Sequence, residues 1–141
     1  MRITGIQNFE LEELVDRPIF EQYGARSIMF LDRALVSCVD RLHDKVGALV
    51  VNNWHAGGTF HESGLRLFNT PTGAAMSQHK FGSALDLKPV HMTPAELFAY
   101  IQSHRADYPE ITTVEDVSIT KTWLHVDGRW HDSGDLLIVR P

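Results

Sequence analysis

Two apolar periods meet in this chain, and their order limits the fold more than any other feature. From Asp32 to Gly47 the residues Leu35, Cys38, Val39, Leu42 and Val46 recur at helical spacing, which puts them on one stripe of an amphipathic helix. Asp32 is a suitable N-cap and Gly47 a suitable stop. From Ser83 to Val90 the period changes to two, with Leu85 and Leu87 on one face and Ala84, Asp86 and Lys88 on the other. That is the pattern of a half-buried strand. Residues 8–23 read as short helical pieces broken at Asp16-Arg17-Pro18. Thr93-Pro94-Ala95-Glu96 is a capping box opening a helix to about Arg105 that buries Leu97, Phe98 and Ile101. Residues 48–54 have strand character, 111–117 and 121–127 read as a hairpin, and Leu136–Val139 as a last edge strand. Helices followed by strands predict an α+β fold, helices packed on a small, mostly antiparallel sheet. At 141 residues the chain makes one domain, residues 1–141.

Composition removes several function classes. Thirteen basic against eighteen acidic residues leave a net charge of −5, and no basic stripe interleaves with aromatics, which argues against nucleic acid as a partner. No window approaches the roughly 18 apolar residues of a membrane span, so no membrane partner is expected. The single Cys38 excludes an internal disulfide and lies on the apolar stripe, where it reads as a buried thiol. The N-terminal stretch turns acidic where a secretory signal needs its apolar run, which predicts a protein made in the cytoplasm without a signal peptide.

Residues 55–78 are rich in Gly, Thr, Ser, Asn and Pro and read as long loops around one short strand. Long loops in a small domain tend to carry function. Immediately after them stand His79 and Asp86, and farther on His125. Two imidazoles and a carboxylate suit a catalytic zinc that keeps a fourth position for water. His79 precedes a glycine turn and Asp86 lies in the strand beyond, so the chain can fold back and bring both donors together. Gly82 would let the backbone pass close to the metal. The same residue types also fit a loop histidine hydrogen-bonded to a carboxylate.

Ser77-x-His79-x-x-Gly82-x-Ala84-x-Asp86 resembles, position by position, the SxHxxGxAxD signature of the peptidase M15 family of zinc D-Ala-D-Ala carboxypeptidases and phage endolysins. That family shares its metal site with the hedgehog signalling domain. Trp123-x-His125 is similar to the family's second motif, and Ser63-Gly64-Leu65-Arg66 to its SGYR segment. The resemblance spans roughly residues 50–127. It implies a hedgehog-like fold, Zn2+ held by His79, Asp86 and His125, and Arg66 and Ser77 as substrate-binding residues. The implied activity is hydrolysis of an amide bond in a peptidoglycan stem peptide, either L-Ala–D-Glu or D-Ala–D-Ala. The implied setting is the bacterial cell wall, with the chain a phage lysis or virion protein.

One position departs from the family. Many members place the catalytic glutamate three residues before the last histidine, and here that residue is Thr122, which cannot act as a general base. If 111–117 and 121–127 pair around a turn at 118–120, Glu115 lies opposite Trp123 on the face of Trp123, His125 and Asp127. Glu115 is then the expected base, Asp116 points away, and Asp127 is either the alternative base or an orienting partner of a ligand histidine. A one-residue slip would exchange Glu115 and Asp116. Thr122 also supports a different reading, a catalytically inactive zinc-binding structural or interaction module. A non-haem iron site at His125-Val126-Asp127 would need a distant downstream histidine, and only the nearby His131 follows. His55 and His61 are expected in a loop beside the cleft. His43, His91, His104 and His131 are assigned to solvent, and Trp54 and Trp130 to cleft walls or packing.

Overall fold

The computed structural model describes residues Met1–Pro141. Short helices α1 (Leu11–Leu14) and α2 (Arg17–Tyr23) come first. They are separated by Asp16, whose carboxylate accepts from the Arg17 amide at 2.8 Å while Pro18 opens the next turn. A 3-10 segment, Gly24–Phe30, leads to α3 (Arg33–Val46). Asp32 caps α3 by accepting from the amides of Ala34 and Leu35, and Gly47 closes it with φ +85°. The predicted stripe of α3 is buried throughout, Cys38 included. Burial pushes the Cys38 thiol up to about 12.

Five strands follow: β1 (Leu49–Val50), β2 (Ala84–Pro89), β3 (Thr113–Glu115), β4 (Leu124–Asp127) and β5 (Leu137–Val139). Their order is β1-β2-β4-β3-β5, antiparallel except for the parallel pairing of β3 with β5. Between β2 and β3 lies α4 (Pro94–Ser103), opened by the Thr93–Glu96 capping box. The fold is α+β. Period-two alternation divides the sheet. Leu85, Leu87, Val114, Leu124 and Val126 enter one hydrophobic core with the α3 stripe and with Leu97 and Ile101 of α4. At roughly 1.5–3 kcal/mol per large side chain removed from water, this face is what holds the sheet. The other face carries Asp86, Lys88, Thr113, Glu115, His125 and Asp127.

Three expectations change here. The strand expected within 55–78 is a single bridge, Leu65 with Val15. It crosses so close to the Leu14 carbonyl that a Cβ on Gly64 would overlap it. The strand expected at 48–54 stops at Val50 because Asn52 turns inward, giving its side-chain amide to the Val15 carbonyl and accepting from the Ser63 amide. The connection between β3 and β4 is not a three-residue turn but a helical turn, α5 (Val117–Thr120). Asp116 caps it by accepting from the Ser118 amide and hydroxyl. It takes up more chain, so Thr113 faces Asp127 and Val114 faces Val126, and continued pairing sets Glu115 beside His125 rather than Trp123. The shift is two residues, so Glu115 keeps the expected face.

Candidate metal centre

His79 sits on a 3-10 turn, Gln78–Phe81, while Asp86 and His125 are directly paired across β2 and β4. Directly opposed residues share a face, and the 3-10 turn swings His79 over that face. His79 Nε2 lies 3.1 Å from Asp86 Oδ1, His125 Nδ1 lies 3.0 Å from the same oxygen, and the two ring nitrogens are 3.1 Å apart. All three side chains are buried.

What stands behind them decides the chemistry. His79 Nδ1 donates to the Gly64 carbonyl at 2.8 Å, and His125 Nε2 donates to Asp127 Oδ2 at 2.9 Å. Carbonyl and carboxylate oxygens only accept, so both outward nitrogens carry protons, and in the neutral rings both inward nitrogens present lone pairs. Two lone pairs and a carboxylate oxygen about 3 Å apart repel one another unless a cation or a proton lies among them. Donors bonded at roughly 2.0–2.2 Å to one small cation are separated by about 3.0–3.5 Å. His79, Asp86 and His125 could therefore hold a metal ion.

The surrounding charges agree with that. Burial opposes ionisation of Asp86, but the two imidazoles outweigh it and hold the carboxyl well below its usual range. Burial pushes His79 below the ordinary imidazole value against the pull of Asp86. For His125 burial is again the largest influence, but hydrogen bonds to Asp127 and Asp86 overcome it and raise the ring to about 9. In the metal-free protein one proton on His125 thus takes the place of the cation.

Two cavities adjoin the centre, of about 380 and 580 Å³, and they share the walls Arg66, Thr72, Asp86 and Trp123. Glu115 and Ser77 line the smaller one with the three donors, and Glu115 Oε1 lies 4.0 Å from His125 Nδ1. Asp116 is absent from both, being occupied in the α5 cap. Asp127 does not reach either: it is fully buried behind His125 and clamped by Arg129 through contacts of 2.6–3.1 Å. That corrects its alternative assignment as the base and leaves it the orienting partner of His125. Arg66 borders both cavities, but its guanidinium is engaged, donating to Asp86 Oδ2 at 3.0 Å and to the Glu62 carbonyl. Thr122 lines the larger cavity.

Other expectations need amending. Gly82 serves the turn that carries His79: with φ +71° it closes the 3-10 segment, and a Cβ there would overlap the Phe30 carbonyl. His61 lines the larger cavity with Nδ1 3.4 Å from Asp16, whereas His55 packs edge-on against Trp54. Trp54 is a packing residue that donates to the Val15 carbonyl. His131 is not in solvent, since its Nε2 donates to the Thr112 carbonyl and its Nδ1 is buried without a partner. Trp130 lines neither cavity of the metal centre and is not a packing residue, being 98% exposed.

Two contributors escaped the sequence reading. Lys88 Nζ donates to Ser63 Oγ at 2.7 Å and to the Val51 carbonyl at 3.0 Å, and it lies 4.5 Å over the Phe60 ring. Burial draws its ammonium down to about 8. Alternation along β2 had already put Lys88 on the face of Asp86, which was the available signal. Arg129 gave none beyond its nearness to Asp127.

The chain matches no known family model, no curated protein and no solved structure. No helix is long and apolar enough to cross a membrane.

Proposed function

We propose that the chain is a zinc-dependent peptidase that hydrolyses an amide bond in peptidoglycan stem peptides. The observation that carries this reading is the inward convergence of three donors whose outward atoms are all held by acceptors or by Arg66. The motif resemblance of residues 77–86 and 123–125 adds the substrate class. Two borderline nitrogen donors and one carboxylate are a zinc set. When bound, zinc supplies a polarising charge for a carbonyl and a water acidic enough to be deprotonated near neutral pH. Glu115 faces the same cavity and is the group to take that proton and return it to the leaving amine. Asp127 and Arg129 keep the His125 ring in the tautomer that leaves Nδ1 free. Ser77 and Arg66 border the groove where the peptide would lie, with Arg66 held in register by Asp86 and the Glu62 carbonyl. The setting proposed is the bacterial wall, reached from a phage lysis or virion protein.

The test is zinc per chain by elemental analysis of untagged protein, with Asp86→Ala and Glu115→Gln alongside, and mass-spectrometric digestion of purified muropeptides. About one zinc in the wild type and in Glu115→Gln, none in Asp86→Ala, and cleavage by the wild type alone are expected. Cleavage by Glu115→Gln would remove Glu115 as base. One observation favours a second reading, a zinc-binding module without turnover: the Arg66 guanidinium is already engaged by Asp86 and the Glu62 carbonyl. Full zinc occupancy with no muropeptide cleaved would select it.

A further inference from the structure

The turn after β4 sends successive side chains to opposite sides. Arg129 enters the groove of the metal centre, whereas Trp130 enters the wall of a separate cavity of about 620 Å³ that shares no residue with that groove. Tryptophan is highly buried on average in folded proteins. Here the indole is 98% exposed beside a cavity of ligand-binding size. The rest of the wall is mostly polar, with Gln102, Arg105, Ser133 and Asp135 among its residues. His131 also lines the wall, its ring fixed by Nε2 on the Thr112 carbonyl with Nδ1 turned away from solvent. Arg105 uses Nη1 on the Tyr108 carbonyl, and neither it nor Asp135 belongs to any ion pair.

An open aromatic face beside dispersed neutral and charged hydrogen-bonding groups matches a ligand with an apolar face and a polar rim. A pyranose ring has that construction: its axial C–H groups stack on an indole while its hydroxyls bond at the edge. Nucleic acid would need a cationic surface, and the net charge is −5. An apolar ligand would leave the polar wall unpaired.

We infer that this cavity is a saccharide-binding site in which a sugar ring stacks on Trp130 and is bonded by Gln102 and Arg105. The preference for N-acetylated amino sugars, the repeating units of the wall glycan, rests on the function proposed above. The saccharide site itself does not.

The experiment titrates N-acetylglucosamine tetramer and cellotetraose into the full chain, followed by tryptophan fluorescence and calorimetry. The variants Trp130→Ala and Gln102→Ala are run beside it. Neither probe contains a cleavable peptide, so zinc and hydrolysis do not enter the result. The site predicts saturable binding of the acetylated tetramer, weakened at least about tenfold in Trp130→Ala, with thermal stability unchanged because that side chain makes no buried contact. Binding of cellotetraose alone, lost in Trp130→Ala, would keep the site and cut its link to the wall. No binding of either sugar, or undiminished binding by a folded Trp130→Ala, overturns it.

Discussion

Replacing Asp127 with asparagine alters a residue that is not itself one of the three donors, yet it should weaken the metal site through a proton. Asp127 Oδ2 accepts from His125 Nε2 at 2.9 Å and from Arg129 Nη2 at 2.6 Å, while Oδ1 accepts from Arg129 Nε at 2.9 Å and from the Arg129 amide at 3.0 Å. Asparagine has the same shape but only one accepting oxygen. If that oxygen takes the Oδ1 place, facing Arg129 Nε and the Arg129 amide, the new amide group faces His125 Nε2, which must become an acceptor. Its proton then moves to Nδ1, the atom that faces His79 and Asp86, and fills the lone pair the metal requires. If the amide turns the other way, its N–H groups oppose Arg129 instead. Loss of such a partner typically costs 10–100-fold in metal affinity, about 1.4–2.7 kcal/mol. The fold should survive, because the apolar face of the sheet is untouched. Zinc Kd would be measured against a chromophoric chelator at pH 7.5, with nitrogen-15 spectra of the metal-free imidazoles at about pH 10, where the His125 ring is neutral, reporting the tautomer. An Asp127→Asn Kd within twofold of wild type, or an unchanged His125 tautomer, would refute the argument.

Metal affinity should also follow pH in a defined sense. The His125 ring is raised to about 9 in the metal-free protein, so below that pH the metal must displace a proton. Apparent affinity should fall roughly tenfold for each pH unit from 9 toward 6, and a flat profile would mean that His125 is not a ligand. Cys38 should resist alkylation at pH 8 in the native protein and react only on unfolding, since it is buried and its thiol lies near 12; rapid native labelling would place it elsewhere. Gly82→Ala combines a left-handed backbone with overlap on the Phe30 carbonyl. It should lower stability by about 2 kcal/mol or more, seen as a fall of several degrees in Tm. An unchanged Tm would show that the 3-10 turn relaxes freely.

Alternation and capping make much of this legible in the sequence alone. The α3 stripe, the Thr93 cap and the polar face of β2 rest on local periods, and local periods are written in consecutive residues. The β3–β4 register was misjudged by two residues because α5 is one helical turn, too short to show a period, and depends on Asp116 acting as a cap. The parallel pairing of β5 with β3 had no signature, since three residues carry neither twist nor connection preference. Gly82 was credited to the metal because the Phe30 carbonyl it avoids lies some fifty residues away in sequence. Both Asn52 and Arg129 act through partners that only the fold supplies.

The donors themselves were the easiest part to read and are the hardest for the fold to hold. Burying one carboxylate and two imidazoles removes hydration from each, and the hydrogen bonds that restore it all attach on the outward side. Gly64, Asp127 and Arg66 stabilise the cluster while turning every remaining lone pair toward the same point. In the metal-free protein that arrangement is relieved by a single proton, which needs only one of the three donors. A divalent cation uses all three, so its binding free energy adds directly to the free energy of folding. The β2–β4 register is what brings Asp86 and His125 together, and a slip of one residue would turn one of them toward the core and away from the other. Sheet pairing and metal binding are therefore one equilibrium. Zinc should raise the Tm of the wild type while leaving Asp86→Ala unmoved, and that difference measures how far the centre holds the sheet in register.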